Sequence, residues 1–70
     1  MTDSFALYER VEIRTDRFAE EGAPKGSIGY VIERHSDDAL EVEISNPASG
    51  ETVATVIATT RDLARTPLKG

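Results

Sequence analysis

The clearest feature of this chain is the strict alternation over residues 40–45, where Leu40, Val42 and Ile44 take one parity and Glu41, Glu43 and Ser45 the other. Side chains along a strand point alternately to opposite faces, so this pattern predicts a strand buried on one side and solvated on the other. A second alternation places Phe5, Leu7, Glu9, Val11 and Ile13 on one parity, with Tyr8, Arg10, Glu12 and Arg14 on the other. It predicts a half-buried strand centred on Glu9 to Arg14. A short helix from Ser4 to Glu9, capped by Ser4, is the competing reading. Between Ile28 and Arg34 apolar residues occupy both parities, with Gly29 inside the run. A strand that bulges or bends sharply at Gly29 accounts for this, as where a strand passes from one side of a small barrel to the other. Thr52 to Ala58 is rich in β-branched residues, with Val53, Thr55 and Ile57 on one side and Thr52, Ala54, Val56 and Ala58 on the other.

The connections are equally legible. Thr15 to Ser27 reads as a long surface loop in which Phe18 is the only large apolar group and acts as a lid on the core. Its return through Pro24-Lys25-Gly26 suits a type II turn around Pro24-Lys25. His35 to Ala39 is a turn, and Asn46-Pro47-Ala48-Ser49-Gly50 joins the next two strands as a hairpin. Thr60-Arg61-Asp62 reads as one helical turn with Thr60 as N-cap and Asp62 complementing the dipole. Leu63 then plugs the barrel end, and Ala64-Arg65-Thr66 adds a short last strand. The fold class expected is all-β: a small, strongly bent, antiparallel SH3-like barrel of four to five strands, with a helical turn before the last one. An open meander that completes itself by dimerising is the alternative. One domain spans 1–70, with its core about 8–65 and fraying expected at 1–4 and 67–70.

Composition narrows the chemistry. The chain has 70 residues, no Cys, no Trp and one His. Disulfides, thiolate metal sites and multi-histidine zinc sites are therefore excluded, and the core must be largely aliphatic. No apolar run approaches the roughly 20 residues that span a bilayer, and no secretory or transit signal is seen, so a soluble cytoplasmic product without membrane contact is expected. Thirteen acids against eight bases argue against broad nucleic-acid affinity.

Catalytic readings do not survive inspection. Lys25-Gly26-Ser27 lacks the Walker spacing and leads into a strand. His35, Ser36, Asp37 and Asp38 are neighbours in one turn, whereas a triad converges from separated elements. Asp37, Asp38, Glu41 and Glu43 lack the calcium-loop signature. No enzyme, cofactor or metal is expected.

Charge distribution is more informative. From Glu33 to Glu51 six acids (Glu33, Asp37, Asp38, Glu41, Glu43 and Glu51) face one base, Arg34, while the rest of the chain has seven of each. The whole net charge of −5 lies in one hairpin region. Glu41 and Glu43 are expected on the same solvent face, about 7 Å apart. These six acids are the candidate partner-binding residues, forming a surface that suits a basic protein.

Tyr8…Val11-Glu12-Ile13, then Lys25-Gly26-Ser27-Ile28-Gly29-Tyr30-Val31-Ile32-Glu33, then Glu41-Val42-Glu43-Ile44 and Gly50 resemble a family of small bacterial proteins known only as a domain of unknown function. Its consensus runs Y-x-x-V…G-x-x-K-G-x-x-G-x-V-x-E…Y-E-V-E-F…G, and the resemblance covers residues 8–65. Leu40 and Ile44 replace its two aromatics, exchanging one core group for another. The resemblance implies a non-enzymatic protein, often encoded beside toxin-like genes, and hence an immunity protein or antitoxin whose partner is a basic toxin. Related G-x-x-G-x-V barrels of the KOW kind imply a ribosome- or transcription-associated module as the alternative, drawing on Arg10, Arg14, Arg17, Lys25, Arg61 and Arg65. A homo-oligomeric accessory protein pairing through Ile28, Val56 and Ile57 is the third expectation.

Overall fold

The computed structural model describes residues 5–46 and 48–66. Five strands, β1 (Arg10–Ile13), β2 (Ile28–Arg34), β3 (Leu40–Ser45), β4 (Thr52–Ala58) and β5 (Leu63–Arg65), form one antiparallel sheet in the order β4-β3-β2-β1-β5. The first four strands make a meander, and β5 returns to the free edge of β1. Val56 from one end of this order and Leu63 from the other enter the same buried cluster as Val11, Ile13, Val31, Leu40, Val42 and Ile44. A flat sheet could not bring its two end strands to one core, so the sheet curls over its inner face. The radius of gyration of 11.1 Å equals the roughly 11 Å expected of a globule this long. The all-β, bent architecture with a helical turn before the last strand is therefore present. Closure is incomplete, because β4 and β5 do not pair and each remains an edge.

Side-chain alternation explains the burial. Leu40, Val42 and Ile44 are fully buried, while Glu41, Glu43 and Ser45 between them are partly exposed. On β2 the inward positions are Gly29 and Val31. Phe5, Phe18 and Leu63 close the ends of the curl. Phe18 thus covers the core, as its isolation in a polar loop suggests.

Several local expectations are corrected. The alternation that begins at Phe5 does not continue as strand: Phe5 is buried, but Leu7 is half exposed and Tyr8 has φ 68°. That left-handed residue turns the chain before β1, and Arg34 donates to the Phe5 carbonyl at 2.6 Å. The loop after β1 contains a 3₁₀ helix over Asp16–Glu21. Thr15 caps it by accepting from the Arg17 N–H at 3.1 Å, and Gly22 ends it at φ 95°. The following turn is shifted by one residue. Ser27 N–H donates to the Pro24 carbonyl at 3.0 Å, placing Lys25 and Gly26 at its centre with Gly26 at φ 96°. The cap of the second 3₁₀ turn (Thr60–Asp62) is Thr59, one residue earlier than expected. The expected fraying at 1–4 and 67–70, and Pro47 in the β3–β4 turn, lie outside the described residues.

Gly29 is not the bulge. It keeps register with Val11 on one side and Ile44 on the other, and the shift falls between Val31 and Glu33. The glycine serves a close approach instead. A Cβ there would lie 2.5 Å from the Glu43 carbonyl oxygen and 2.9 Å from both Val42 Cγ1 and Ile44 Cδ1.

Gly29→Ala should therefore destabilise the fold by about 1–3 kcal/mol through overpacking against β3. Urea denaturation checks this, and an unchanged midpoint would contradict the close approach.

Candidate functional site

Strand register determines which expected acids meet. The inner face of β3 is apolar, so Glu41 and Glu43 occupy its outer face, where Glu43 pairs with Tyr30 of β2 and Thr55 of β4. Glu41 lies between Ile57 and Glu33. The register shift after Val31 brings Glu33 opposite Glu41. Like charges directly opposite one another on a sheet destabilise it. Glu33, Glu41 and Glu43 therefore form one patch on the outer face of β2 and β3, flanked by Tyr30 and Ile57.

The other three acids are distributed differently. Asp37 and Asp38 are exposed in the tight β2–β3 connection, next to the Glu33–Glu41 end of the patch. Glu51 sits in the β3–β4 connection, at the opposite end of β3. The length of β3 separates it from Asp37 and Asp38 by about 17 Å. The structure thus gathers Glu33, Asp37, Asp38 and Glu41 at one end of β3, places Glu43 along the strand beyond them, and leaves Glu51 apart.

Three of the arginines are engaged within the chain. Arg65 Nε donates to Glu9 at 2.7 Å and its guanidinium stacks 4.7 Å from the Phe5 ring centroid. Arg17 pairs with Asp62 and lies 4.4 Å from the Phe18 ring. Arg34 is held by the Phe5 carbonyl. Among the described residues, no Lys or Arg forms an ion pair with Glu33, Glu41 or Glu43. The imidazole of His35 adjoins them, its Nε2 lying 2.8 Å from Glu41 Oε1.

Glu33, His35 and Glu41 bring three potential ligand atoms within 4.8 Å of one another. The donor set of one imidazole and two carboxylates suits a borderline divalent cation. However, Glu33 and His35 are exposed, and the His35–Glu41 hydrogen bond already accounts for the imidazole. The arrangement is that of a solvent-facing histidine–carboxylate hydrogen bond beside a repelling carboxylate. Sequence reading missed this cluster because the meeting of Glu33 with Glu41 depends on the register shift.

Two open depressions mark the surface. One lies around Phe5 and Leu63 with Arg14, Arg61 and Arg65 on its rim, and the other lies between the Gly22–Ile28 segment and Ile44–Asn46. Neither has a carboxylate or imidazole in its lining, so neither provides an acid–base pair.

Asp62 is the buried acid, and its surroundings are structural. Burial acts to raise its pKa. The hydrogen bonds from Arg17, the Thr59 N–H (2.9 Å) and the Thr59 hydroxyl (3.1 Å), together with the Arg17 charge, outweigh burial and hold it below the ordinary value of 3.8. It ties the 3₁₀ helix after β1 to the turn before β5, a link across 45 residues of sequence.

No protein-family model matches this sequence, and neither does any curated protein or solved structure. No helix among the described residues is long and apolar enough to cross a membrane.

A carboxylate whose pKa is lowered on folding adds stability above its unfolded pKa and loses it as pH falls through the folded value. Asp62→Asn should therefore lower stability at neutral pH by about 1–2 kcal/mol. Its deficit against the parent should shrink once pH falls below 3.8. Urea midpoints of both proteins between neutral pH and strong acid measure this, and a deficit that stays constant would contradict the assignment.

Proposed function

We propose that this chain is a non-enzymatic protein-binding module, an immunity protein or antitoxin that occludes the basic cleft of a cognate toxin. The observation that carries this reading is the patch of Glu33, Glu41 and Glu43. These three carboxylates share one face of a rigid sheet, with no Lys or Arg paired to them among the described residues. Stability alone disfavours that arrangement, since Glu33 and Glu41 repel across the strand pair. A basic partner would relieve the repulsion on docking and would be steered toward the patch from solution.

Tyr30 and Ile57 beside the acids supply apolar contact, and Asp37 and Asp38 extend the negative field past the end of the sheet. Placing the acids on strands keeps their spacing fixed, so little conformational entropy is lost when a partner docks. The module reading for ribosomes or transcription is less well supported, because two of its six candidate cations, Arg17 and Arg65, are engaged within the chain and acids outnumber bases thirteen to eight. A phosphate-binding stripe needs such groups free and clustered. The toxin context and a cytoplasmic setting are part of this proposal.

Co-expression with the product of the adjacent gene, followed by size-exclusion chromatography, tests the proposal. The expected result is a complex and rescue of growth. Replacing Glu33, Glu41 and Glu43 together by Gln should weaken that complex roughly tenfold or more, with the loss greatest at low salt. Absence of both complex and rescue would overturn the reading.

A further inference from the structure

The outer edge of β4 has no partner. No backbone hydrogen bond among the described residues reaches this strand from any loop or turn, and its ladder runs only to β3. An unpaired edge is a template for another strand, and proteins usually blunt one with charge, proline or a covering segment. Thr52–Ala58 has neither charge nor proline over seven residues, and five of the seven are β-branched; the register shift at Val53 interrupts its first part and leaves Ala54–Ala58 as regular edge. Its outward side chains Val53, Thr55 and Ile57 are all exposed, the two aliphatic ones by 52% and 49%.

The order of these side chains identifies the occupant. With a two-fold axis through Thr55, antiparallel pairing of two β4 strands sets Thr55 against its own copy. The same register sets Val53 of each chain opposite Ile57 of the other, and Ala54 opposite Val56. The β3–β4 register skips Val53, so the regular part of this ladder is Ala54–Val56 of each chain, and the Val53–Ile57 contact falls at a bulge and rests on side chains. Both exposed aliphatic residues thereby gain a cross-strand apolar neighbour of the kind that stabilises sheets.

We infer that β4 is a self-complementary edge through which two copies of this chain pair, extending the curled sheet across a two-fold axis. Isologous pairing of this kind makes a closed dimer. Charge permits it. Glu43 neighbours Thr55, so the two Glu43 side chains lie three strand spacings apart across the axis, about 14 Å. That exceeds the screening length of about 8 Å at physiological salt. Of the residues expected to serve self-pairing, Ile57 takes part, Val56 faces the core and is fully buried, and Ile28 lies in β2, away from this edge; Val53 joins Ile57 in the contact.

The pairing leaves the outer faces of β2 and β3 open and shares only Ile57 with the proposed docking surface, so the two can be tested separately. Salt separates the two, since salt screens repulsion between acidic copies and screens attraction to a basic partner. Sedimentation equilibrium of the chain alone, from about 10 µM to about 1 mM, should show a monomer–dimer equilibrium that tightens as salt is raised. Thr55→Lys puts like charges on the axis at an exposed position beside Glu43, and should weaken the dimer roughly tenfold or more without unfolding the chain. Thr55→Cys, the sole thiol in an otherwise cysteine-free chain, should form a covalent dimer on mild oxidation faster than Glu51→Cys. A strict monomer over the whole range, or a dimer indifferent to Thr55→Lys, would overturn the inference.

Discussion

A sheet has two faces, and this chain has enough apolar side chains to bury only one of them. Everything else in the structure follows from the way that single face is closed. Without Trp or disulfides, the inner face must be sealed by curling, so that Val56 near one edge and Leu63 near the other meet the same aliphatic cluster. Phe5 and Phe18 then close what the strands leave open. The close approach of β2 and β3 at Gly29 belongs to the same constraint, since any side chain there would hold the two strands apart. The curl stops short of closure and leaves β4 as an uncharged edge.

Burying one face releases the other from any packing requirement. The outer positions of β2 and β3 could hold any soluble residues, and alternating charge would stabilise the pairing. They hold Glu33, Glu41 and Glu43, while three arginines, Arg17, Arg34 and Arg65, tie Asp62, the Phe5 carbonyl and Glu9. The molecule is thus divided electrostatically, with its ion pairs where segments must be joined and unneutralised acids where the sheet is already secure. That division is the physical basis of the proposal that this surface meets a basic partner.

Much of this was legible in the sequence, for identifiable reasons. β3 could be read residue by residue because one buried and one solvated face impose strict alternation. The limits of β2 followed from its apolar run and flanking turns. The 3₁₀ helix after β1 was hidden because Phe18 alone faces inward and a single apolar residue sets no period, although Thr15 and Gly22 do carry its start and stop signals. The bulge was assigned to Gly29 on residue type, yet its place after Val31 is decided by how β3 pairs. That one-residue difference determines whether Glu33 meets Glu41. The Arg17–Asp62 link, joining segments far apart in the chain, leaves no local signature at all.

The central claim is that the outer carboxylates are held against the interest of the fold. Urea denaturation of the isolated Glu33→Gln/Glu43→Gln chain at low salt tests it most directly. Relief of unneutralised charge should raise the unfolding free energy by about 0.5–1 kcal/mol, and the gain should fade as salt is added. A midpoint that falls or stays unchanged would show that these acids serve the fold itself.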